Sequence, residues 1–287
     1  MKKIDPELYP FRSNFLGLEG HNLHYIDEGQ GSPILMVHGN PTWSFFYRHL
    51  VQAFRGHYRC VVPDHMGCGL SDKPQDYAYV LETHIQNLVK LVRFLDLKDI
   101  TLVVHDWGGA IGMGLATRHP ELIKRVVLFN TAAFLSPDIP RRIALCRAGK
   151  FGEALVRGLN GFAWPATFMA VERRLPRIVK QAYLAPYDSW KNRIAVARFV
   201  QDIPLEMDHP SYATLATIEE NLARVSAPKL ILWGGGDFCF HEGFYRRWRE
   251  IYPSAEAHYF ESAGHYVLED APRKSIEAIV AFLGRWP

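Results

Sequence analysis

The sequence predicts an α/β fold in which a mostly parallel sheet carries helices on both faces and is interrupted by a helical insertion. Short apolar runs, hydrophobic on both faces, alternate with amphipathic helical segments, as is typical of a parallel sheet buried between helices. This alternation stops near residue 135, where helical segments without a convincing strand begin. It returns after about residue 214.

The individual elements follow from the spacing of apolar residues. Strands are predicted at residues 34–37, 58–62, 100–105 and 126–129, and helices at 44–54, 82–95 and 108–118. One apolar stripe on the helix predicted at 82–95 consists of Ile85, Leu88, Val89, Val92 and Leu95. After the insertion, strands are predicted at 229–233 and 256–260 and a last helix at 274–283. We therefore assign residues 1–134 and 215–287 to the sheet core and residues 135–214 to a helical cap.

The composition restricts the kinds of partner. The chain has 287 residues, of which 48% are hydrophobic, and a net charge of +3, too small to indicate nucleic-acid binding. The cap, however, contains twelve lysine and arginine residues against seven acidic residues. A solvated basic face is the simpler interpretation of this excess, and the alternative is a surface for an anionic partner or membrane.

The cysteines and the N-terminus indicate a cytoplasmic protein with reduced thiols. The four cysteines have neither CxxC nor metal-ligand spacing, and we expect no metal or other cofactor. The first residues, Met-Lys-Lys-Ile-Asp-Pro-Glu, do not lead into the apolar run of a signal peptide. No stretch approaches the roughly 20 apolar residues of a membrane span.

Asp106 stands where a predicted strand meets a predicted helix. The strand at 100–105 is followed at once by Asp106 and then by Gly108 and Gly109 of the next helix. A tight turn of this kind projects a reactive side chain at the carboxyl edge of a sheet, and small residues let the helix approach the strand. An aspartate there attacks carbon without prior deprotonation and forms an ester. The alternative is a helix-capping aspartate, but the glycines and the partners described next favour a nucleophile.

Two further residues complete a catalytic set. His265 follows the strand at 256–260, where the histidine of the chain order nucleophile, acid, histidine is expected, and would act as a general base. Because the chain contains thirteen histidines, the alternative is an ordinary surface residue. Asp237 follows the strand at 229–233 through three glycines and would orient His265 and stabilise its charge. A structural turn aspartate is the alternative there.

An anion site is predicted beside the nucleophile. Asn40, in the segment His-Gly-Asn-Pro, follows the strand at 34–37. The backbone N–H groups of Asn40 and Trp107 are expected to form an anion hole. The Asn40 side-chain amide and the Trp107 indole could add two donors suited to a departing anion.

These motifs resemble those of the haloalkane dehalogenase family within the α/β-hydrolase superfamily. The resemblance covers nearly the whole chain and rests on residues 38–43 (HGNPTW), 63–67 (PDHMG), 71–74 (SDKP), the Asp106 turn, Asp237 and 264–266 (GHY). It implies an eight-stranded, mostly parallel sheet with a helical cap, in which Asp106 is the nucleophile, His265 the base, and Asn40 and Trp107 the leaving-anion donors. Many members carry a catalytic Glu where this chain has Asn130, so the resemblance assigns the acid to Asp237.

Further segments resemble the third dehalogenase subgroup, many of whose members are similar to β-lactone decarboxylases of bacterial long-chain olefin biosynthesis. These segments are 130–134, 184–187, 199–204 and 265–270. The resemblance implies that Asp106 opens a cis-3-alkyl-4-alkyloxetan-2-one at the ring carbon that bears oxygen, and that a cis-alkene and CO2 leave from the Asp106 ester. Attack at the lactone carbonyl is the alternative first step.

Other functions are compatible with the same catalytic set. In a haloalkane dehalogenase, Asp106 displaces halide and His265 activates water to hydrolyse the alkyl ester. Epoxide hydrolysis is a weaker alternative, because it requires two cap tyrosines, for which Tyr183, Tyr187 and Tyr212 are candidates. A scaffold that only binds a ligand is disfavoured, since the nucleophile, acid and base are all present.

The cap contains aromatic residues that could contact a hydrophobic substrate. Phe162, Trp164, Phe168 and Trp190 could line an apolar tunnel, with Tyr187 as a further contact, although such residues are more often plain core. Trp164 could instead be a second halide donor. The basic cap could face a membrane or other olefin-pathway enzymes. The sequence leaves substrate chain length, stereochemical preference and oligomeric state open.

Overall fold

Eight strands form one sheet in the computed structural model, which describes residues 4–286. They are β1 (Ser13–Leu18), β2 (His21–Glu28), β3 (Pro33–Val37), β4 (Arg59–Pro63), β5 (Ile100–Asp106), β6 (Ile123–Thr131), β7 (Lys229–Gly234) and β8 (Glu256–Phe260). Their order across the sheet is β1-β2-β4-β3-β5-β6-β7-β8. Strand β2 runs antiparallel to β1 and β4, and all pairings from β4 to β8 are parallel. The predicted eight-stranded, mostly parallel sheet is confirmed.

Both faces of the sheet are covered by helices. These are α1 (Arg48–Phe54), α2 (Leu81–Phe94), α3 (Trp107–Arg118), α4 (Arg141–Arg147), α5 (Gly149–Glu153), α6 (Ala163–Met169), α7 (Arg177–Leu184), α8 (Ile194–Gln201), α9 (Tyr212–Asn221), α10 (Glu242–Ile251), α11 (Val267–Asp270) and α12 (Pro272–Arg285). Alternate residues of β3 belong to two separate hydrophobic clusters, Ile34 and Met36 to one and Leu35 and Val37 to the other. This division explains why the run is apolar at every position: each face of the strand packs against its own layer.

The insertion between β6 and β7 is helical, and within residues 4–286 it contains no strand. Helices α4 to α8 form it. Helix α9, however, begins at Tyr212 and packs against α2 and α3 of the core. The predicted cap boundary at residue 214 therefore falls inside a core helix, and the insertion ends before Tyr212.

Outside the insertion, the predicted set lacks strands β1 and β2 and helices α9, α10 and α11. Strand β1 lies at the edge of the sheet, alternates exposed and partly buried residues and has no long apolar run, and β2 lies between it and β4. Helix α10 is strongly polar and buries only Phe244 and Trp248, four residues apart. Edge strands and polar surface helices bury one narrow stripe, which leaves a weak hydrophobic pattern in the sequence. In addition, the helix predicted at 44–54 is divided into a 3-10 turn (Ser44–Tyr47) and α1.

Within residues 4–286, no helix combines the length and apolar character that crossing a bilayer requires. Part of the N-terminal interpretation concerns residues 1–3, which lie outside the described residues.

Candidate active site

Asp106 is the last residue of β5 and immediately precedes α3. Its backbone angles, φ 52° and ψ −129°, lie in a region that non-glycine residues rarely adopt. A Cβ atom at Gly39 would overlap the Asp106 carboxylate, and one at Gly108 would overlap the carbonyl of Val37. The strand-to-helix turn is therefore strained at Asp106 and depends on glycine at its neighbours, a geometry that could project a nucleophile.

The Asp106 carboxylate is held by backbone N–H groups. Oδ1 accepts a hydrogen bond from the N–H of Asn40 at 2.5 Å, and the N–H of Trp107 also donates to the carboxylate. Oδ2 lies 3.6 Å from Nε2 of His265. Burial raises the pKa of Asp106 above its usual value, although the positive charge of His265 and the two N–H donors offset part of this rise. The two predicted anion-hole N–H groups thus hold the carboxylate itself and direct one oxygen toward His265.

The His265 ring lies against the Asp237 carboxylate. Nδ1 of His265 lies 2.7 Å from Oδ2 of Asp237, and both side chains are buried. Burial lowers the pKa of His265, but the charges of Asp237 and Asp106 and the hydrogen bond to Asp237 outweigh burial, and the pKa lies above the usual value. The two carboxylates therefore stabilise the protonated form of the imidazole.

Asn130, the position where many family members carry a catalytic Glu, supports Asp237. Its Nδ2 donates to Oδ2 of Asp237 at 3.0 Å and to the carbonyl of Gly234 at 2.9 Å, while its Oδ1 accepts from the N–H of Gly234 at 2.7 Å. The N–H of Cys239 donates to the other oxygen of Asp237 at 2.7 Å. Both oxygens of Asp237 are therefore held by hydrogen bonds.

His105 lies behind the catalytic set and is not among the residues predicted for the site. Its Nε2 donates to the backbone carbonyl of His265 at 2.9 Å, and the two rings lie 4.4 Å apart between centroids. Burial holds the pKa of His105 well below its usual range, so that the ring is neutral. The sequence feature that could have indicated a role for His105 is its position directly before Asp106.

The loop that carries His265 is tied to the cap through Asp270, a second residue that sequence reasoning missed. Its carboxylate accepts hydrogen bonds at 2.9 Å from the N–H groups of Gly264 in the loop and of Glu172 and Arg173 in the cap. The side chain is 8% exposed. A buried carboxylate with three N–H donors joins the cap to the backbone beside His265.

An apolar cavity of about 160 Å³ opens onto the Asp106 carboxylate. Asn40, Trp107 and His265 line its reacting end with Asp106. The remaining wall is mostly apolar and includes Ile143, Phe162, Ala166, Val200, Leu215 and Phe240. The cavity therefore suits a hydrophobic substrate whose reacting group meets the few polar side chains.

The Asn40 side chain occupies the predicted place but is partly engaged by the cap. Its Nδ2 donates to the carbonyl of Val196 at 3.2 Å, and its Oδ1 is buried without a hydrogen-bond partner within residues 4–286. Because the amide nitrogen carries two hydrogens, one N–H remains for an anion. Trp107 also lines the cavity, beside Phe199 at 5.5 Å between ring centroids.

Of the predicted cap contacts, the structure places only Phe162 at the cavity wall. Trp164, Phe168 and Trp190 are 50%, 47% and 49% exposed and lie outside the cavity lining. Tyr187 is buried, and its hydroxyl donates to the carbonyl of Thr42 at 3.2 Å. The solvent-facing orientation of these side chains could not be predicted, because aromatic residues in a helical insertion face either way.

The cap tyrosines required for epoxide opening are elsewhere. The hydroxyl of Tyr183 donates to Glu269, that of Tyr187 to Thr42, and neither these residues nor Tyr212 line the cavity in the described structure. The cavity therefore lacks the tyrosine proton donors that epoxide hydrolysis would require.

The sheet topology, the strained turn at Asp106 and the Asp106–His265–Asp237 arrangement define the class of protein. The model of the family described as alpha/beta hydrolase fold matches residues 32–272. The chain therefore belongs to the alpha/beta hydrolase fold family.

The chain is also similar to individual proteins of two kinds, decarboxylases and haloalkane dehalogenases. The chain is 49% identical over 284 residues to a cis-3-alkyl-4-alkyloxetan-2-one decarboxylase of Shewanella oneidensis. The aligned region covers 96% of this chain and 89% of that protein. It is 44% identical over 282 residues to the decarboxylase of the same name from Xanthomonas campestris, covering 93% of this chain and 94% of that protein. It is 31% identical to haloalkane dehalogenase 2 of Mycobacterium bovis over 287 residues, covering 98% of each chain. The predicted resemblance to both groups is confirmed.

Proposed function

We propose that this protein is a cis-3-alkyl-4-alkyloxetan-2-one decarboxylase that converts a cis-β-lactone into a cis-alkene and CO2. The observation that carries the proposal is the identity of 49% and 44% to two proteins with that name, against 31% to a haloalkane dehalogenase of similar coverage. The apolar cavity above Asp106 supports it, because a lactone with two alkyl substituents requires an apolar wall around one polar reacting centre.

The first step is attack by Asp106. Oδ2 forms a bond to the saturated ring carbon that is attached to the ring oxygen. The bond between this carbon and the ring oxygen breaks. The oxygen keeps the electron pair and becomes part of a carboxylate. The Asn40 and Trp107 side chains, which line this end of the cavity, would receive that carboxylate. Oδ1 stays on the backbone N–H of Asn40, so that the carboxylate enters the reaction already oriented.

The second step regenerates the nucleophile. The carboxylate sits on the carbon next to the one that is bound to Asp106. The bond between that carbon and the carboxylate breaks and CO2 leaves. The electrons of this bond form the double bond, and the ester oxygen of Asp106 leaves with its electron pair. No water or external proton is consumed. Inversion in the first step and anti elimination in the second give net syn loss, so that a cis lactone yields a cis alkene. The positive charge favoured on His265 would stabilise Asp106 as it departs.

A haloalkane dehalogenase is the second candidate, supported by the 31% identical relative and by the indole of Trp107 at the cavity. Its first step is the same displacement at carbon. It differs afterwards, because His265 must then lose its proton and activate water against the ester.

One experiment separates the two candidates. The purified enzyme is incubated separately with a dialkyl cis-β-lactone and with 1-bromohexane, and alkene and bromide are quantified. Alkene from the lactone with negligible bromide supports the decarboxylase, whereas fast bromide release without alkene would overturn it. Asp106→Ala should abolish turnover, and the exposed Asp76→Ala should leave it unchanged. Equal turnover by both variants would exclude the Asp106 mechanism for either candidate.

A further inference from the structure

The cap has an aromatic surface on the exposed side of α6, the helix that also helps to wall the cavity. Ala166 and, just before the helix, Phe162 line the cavity, whereas Trp164 and Phe168 are 50% and 47% exposed. Trp164 and Phe168 are four residues apart, and their rings pack edge to face at 4.9 Å between centroids. Two large aromatic side chains are therefore held side by side in solvent.

Positive charges surround these aromatic rings. Nζ of Lys180, on α7, lies 5.2 Å from the Trp164 ring centroid and 5.4 Å from that of Phe168. Arg177 is exposed on the same helix, one turn before Lys180. On α4, Arg142 is exposed and its guanidinium lies 3.7 Å from Sδ of Met169, the residue after Phe168. We call Arg142, Trp164, Phe168, Arg177 and Lys180 the outer cap patch.

The charge of this patch is not neutralised by the rest of the cap. Within residues 4–286, Arg142, Arg177 and Lys180 form no ion pair, while three other cap cations are paired: Glu153 binds Arg157 and Arg198, and Glu206 binds Arg147. The acidic residues nearest in sequence are Glu172, which is exposed between α6 and α7, and Asp138, which lies four residues before Arg142 and 3.7 Å from Nε2 of His241. Arg173 and Arg174 follow Glu172 directly and add two more exposed cations. The segment from 172 to 180 therefore has a net positive charge.

We propose that the outer cap patch docks onto the surface of an anionic lipid bilayer. Tryptophan and phenylalanine beside lysine and arginine match the water–lipid interface, where aromatic rings enter the boundary region and cations meet anionic head groups. The patch supplies both requirements on adjacent helices. A partner protein would have to offer both an apolar and an acidic surface, whereas an anionic membrane offers both everywhere.

Docking would also bring the cavity near the apolar phase. Helices α4 and α6 carry the patch and contribute Ile143 and Ala166 to the cavity wall. A lactone with two alkyl chains would dissolve in the bilayer, and the cap would receive it there. This delivery role rests on the proposed function, whereas docking itself does not.

Vesicle binding tests the docking directly. The full chain is centrifuged with vesicles of phosphatidylcholine alone and of phosphatidylcholine mixed with phosphatidylglycerol, at low and at high salt. We expect co-sedimentation with the anionic vesicles that weakens at high salt. Arg177→Glu/Lys180→Glu should lower the binding constant by at least about tenfold, since each cation near an anionic surface is worth about a factor of five. Trp164→Ser/Phe168→Ser should lower it as well, with little change in the salt dependence.

A control variant matches the patch in chemistry but not in position. Arg93→Glu/Phe94→Ser replaces an exposed cation and an exposed aromatic residue of the core helix α2, where Phe94 is 60% exposed. It should bind vesicles as the original protein does. Loss of binding in this control as strong as in the patch variants would overturn the proposal. The proposal would also be overturned if the protein did not bind anionic vesicles. Dimers in solution that depend on the patch, in the absence of vesicle binding, would overturn it as well. None of these measurements uses turnover, so that they are independent of the lactone assay.

Discussion

Asn130 donates a hydrogen bond to Oδ2 of Asp237 at 3.0 Å, and the same oxygen lies 2.7 Å from Nδ1 of His265. Asn130, at the position where many family members have a catalytic Glu, therefore contacts the same carboxylate oxygen as His265. It supports the acid from the neighbouring strand end instead of supplying the acid itself.

Asn130→Asp should destabilise the protein increasingly as pH rises. Two buried carboxylates at this distance cannot both ionise easily, so the folded-state pKa of the added group is raised. A group with a raised folded pKa stabilises the native state at low pH and loses that contribution as pH rises through the folded pKa. We expect a loss of about 1–3 kcal/mol at neutral pH, measured as Tm from pH 5 to pH 8. The partly exposed Asn221→Asp is the control, and a pH-independent Tm difference would contradict the prediction.

Asp106→Asn should abolish turnover and raise Tm at neutral pH. Burial raises the pKa of Asp106, so its ionised form reduces the stability of the native state above that pKa. Asparagine keeps the shape and can still accept from the N–H of Asn40. We expect a gain of about 1 kcal/mol, or roughly 2–4 °C.

The gain should shrink as pH falls and Asp106 of the original protein becomes protonated. Calorimetry over pH 4 to 8 checks both points. Asp106→Ala, which leaves the N–H donors without an acceptor, should show no gain. An Asp106→Asn protein less stable than the original at every pH would refute the argument.

The pH dependence should differ between alkene formation and ester hydrolysis. Both require ionised Asp106, so both should fall as pH decreases through its raised pKa. Hydrolysis also requires neutral His265, whose pKa lies above 6.5, and should keep rising above that pH. Alkene formation uses no base and should fall there, because the positive charge that stabilises the departing Asp106 is lost. Rates of alkene release from a cis-β-lactone across pH 5 to 9 provide the measurement, and a rise above pH 6.5 would indicate that His265 acts as a base in that step.

Asp270→Asn should loosen the contact between the cap and the His265 loop. The amide that replaces one carboxylate oxygen would face an N–H donor of Gly264, Glu172 or Arg173, where it cannot accept. A buried donor without a partner costs about 1–3 kcal/mol. We expect faster amide hydrogen exchange at residues 170–173 and 264–266, together with a lower kcat. Glu277→Gln, an exposed substitution on α12, should change neither. Unchanged exchange in both segments would show that Asp270 does not couple them.

The catalytic set could be predicted because it combines local patterns with chain order. Asp106 follows a strand that is buried on both faces, and Asp237 and His265 follow two later strands. Parallel strands bring their carboxyl ends to one edge of a sheet, so residues far apart in sequence meet there. Phe162 lies at the cavity wall, one of the two positions considered for it, whereas the solvent-exposed positions of Trp164 and Phe168 were not predicted.

The sequence by itself determined the alternating α/β pattern, the helical insertion and the reactive residues, because each has a local signature in apolar spacing or in a short motif. Only the tertiary structure decided which side chains surround them. The hydrogen bonds of Asn130, His105 and Asp270 join segments more than a hundred residues apart or separate layers of the fold. Such contacts depend on how helices and strands pack, which no local pattern encodes. The direction of the cap aromatics is likewise set by that packing, and it places Trp164 and Phe168 in solvent instead of in the cavity.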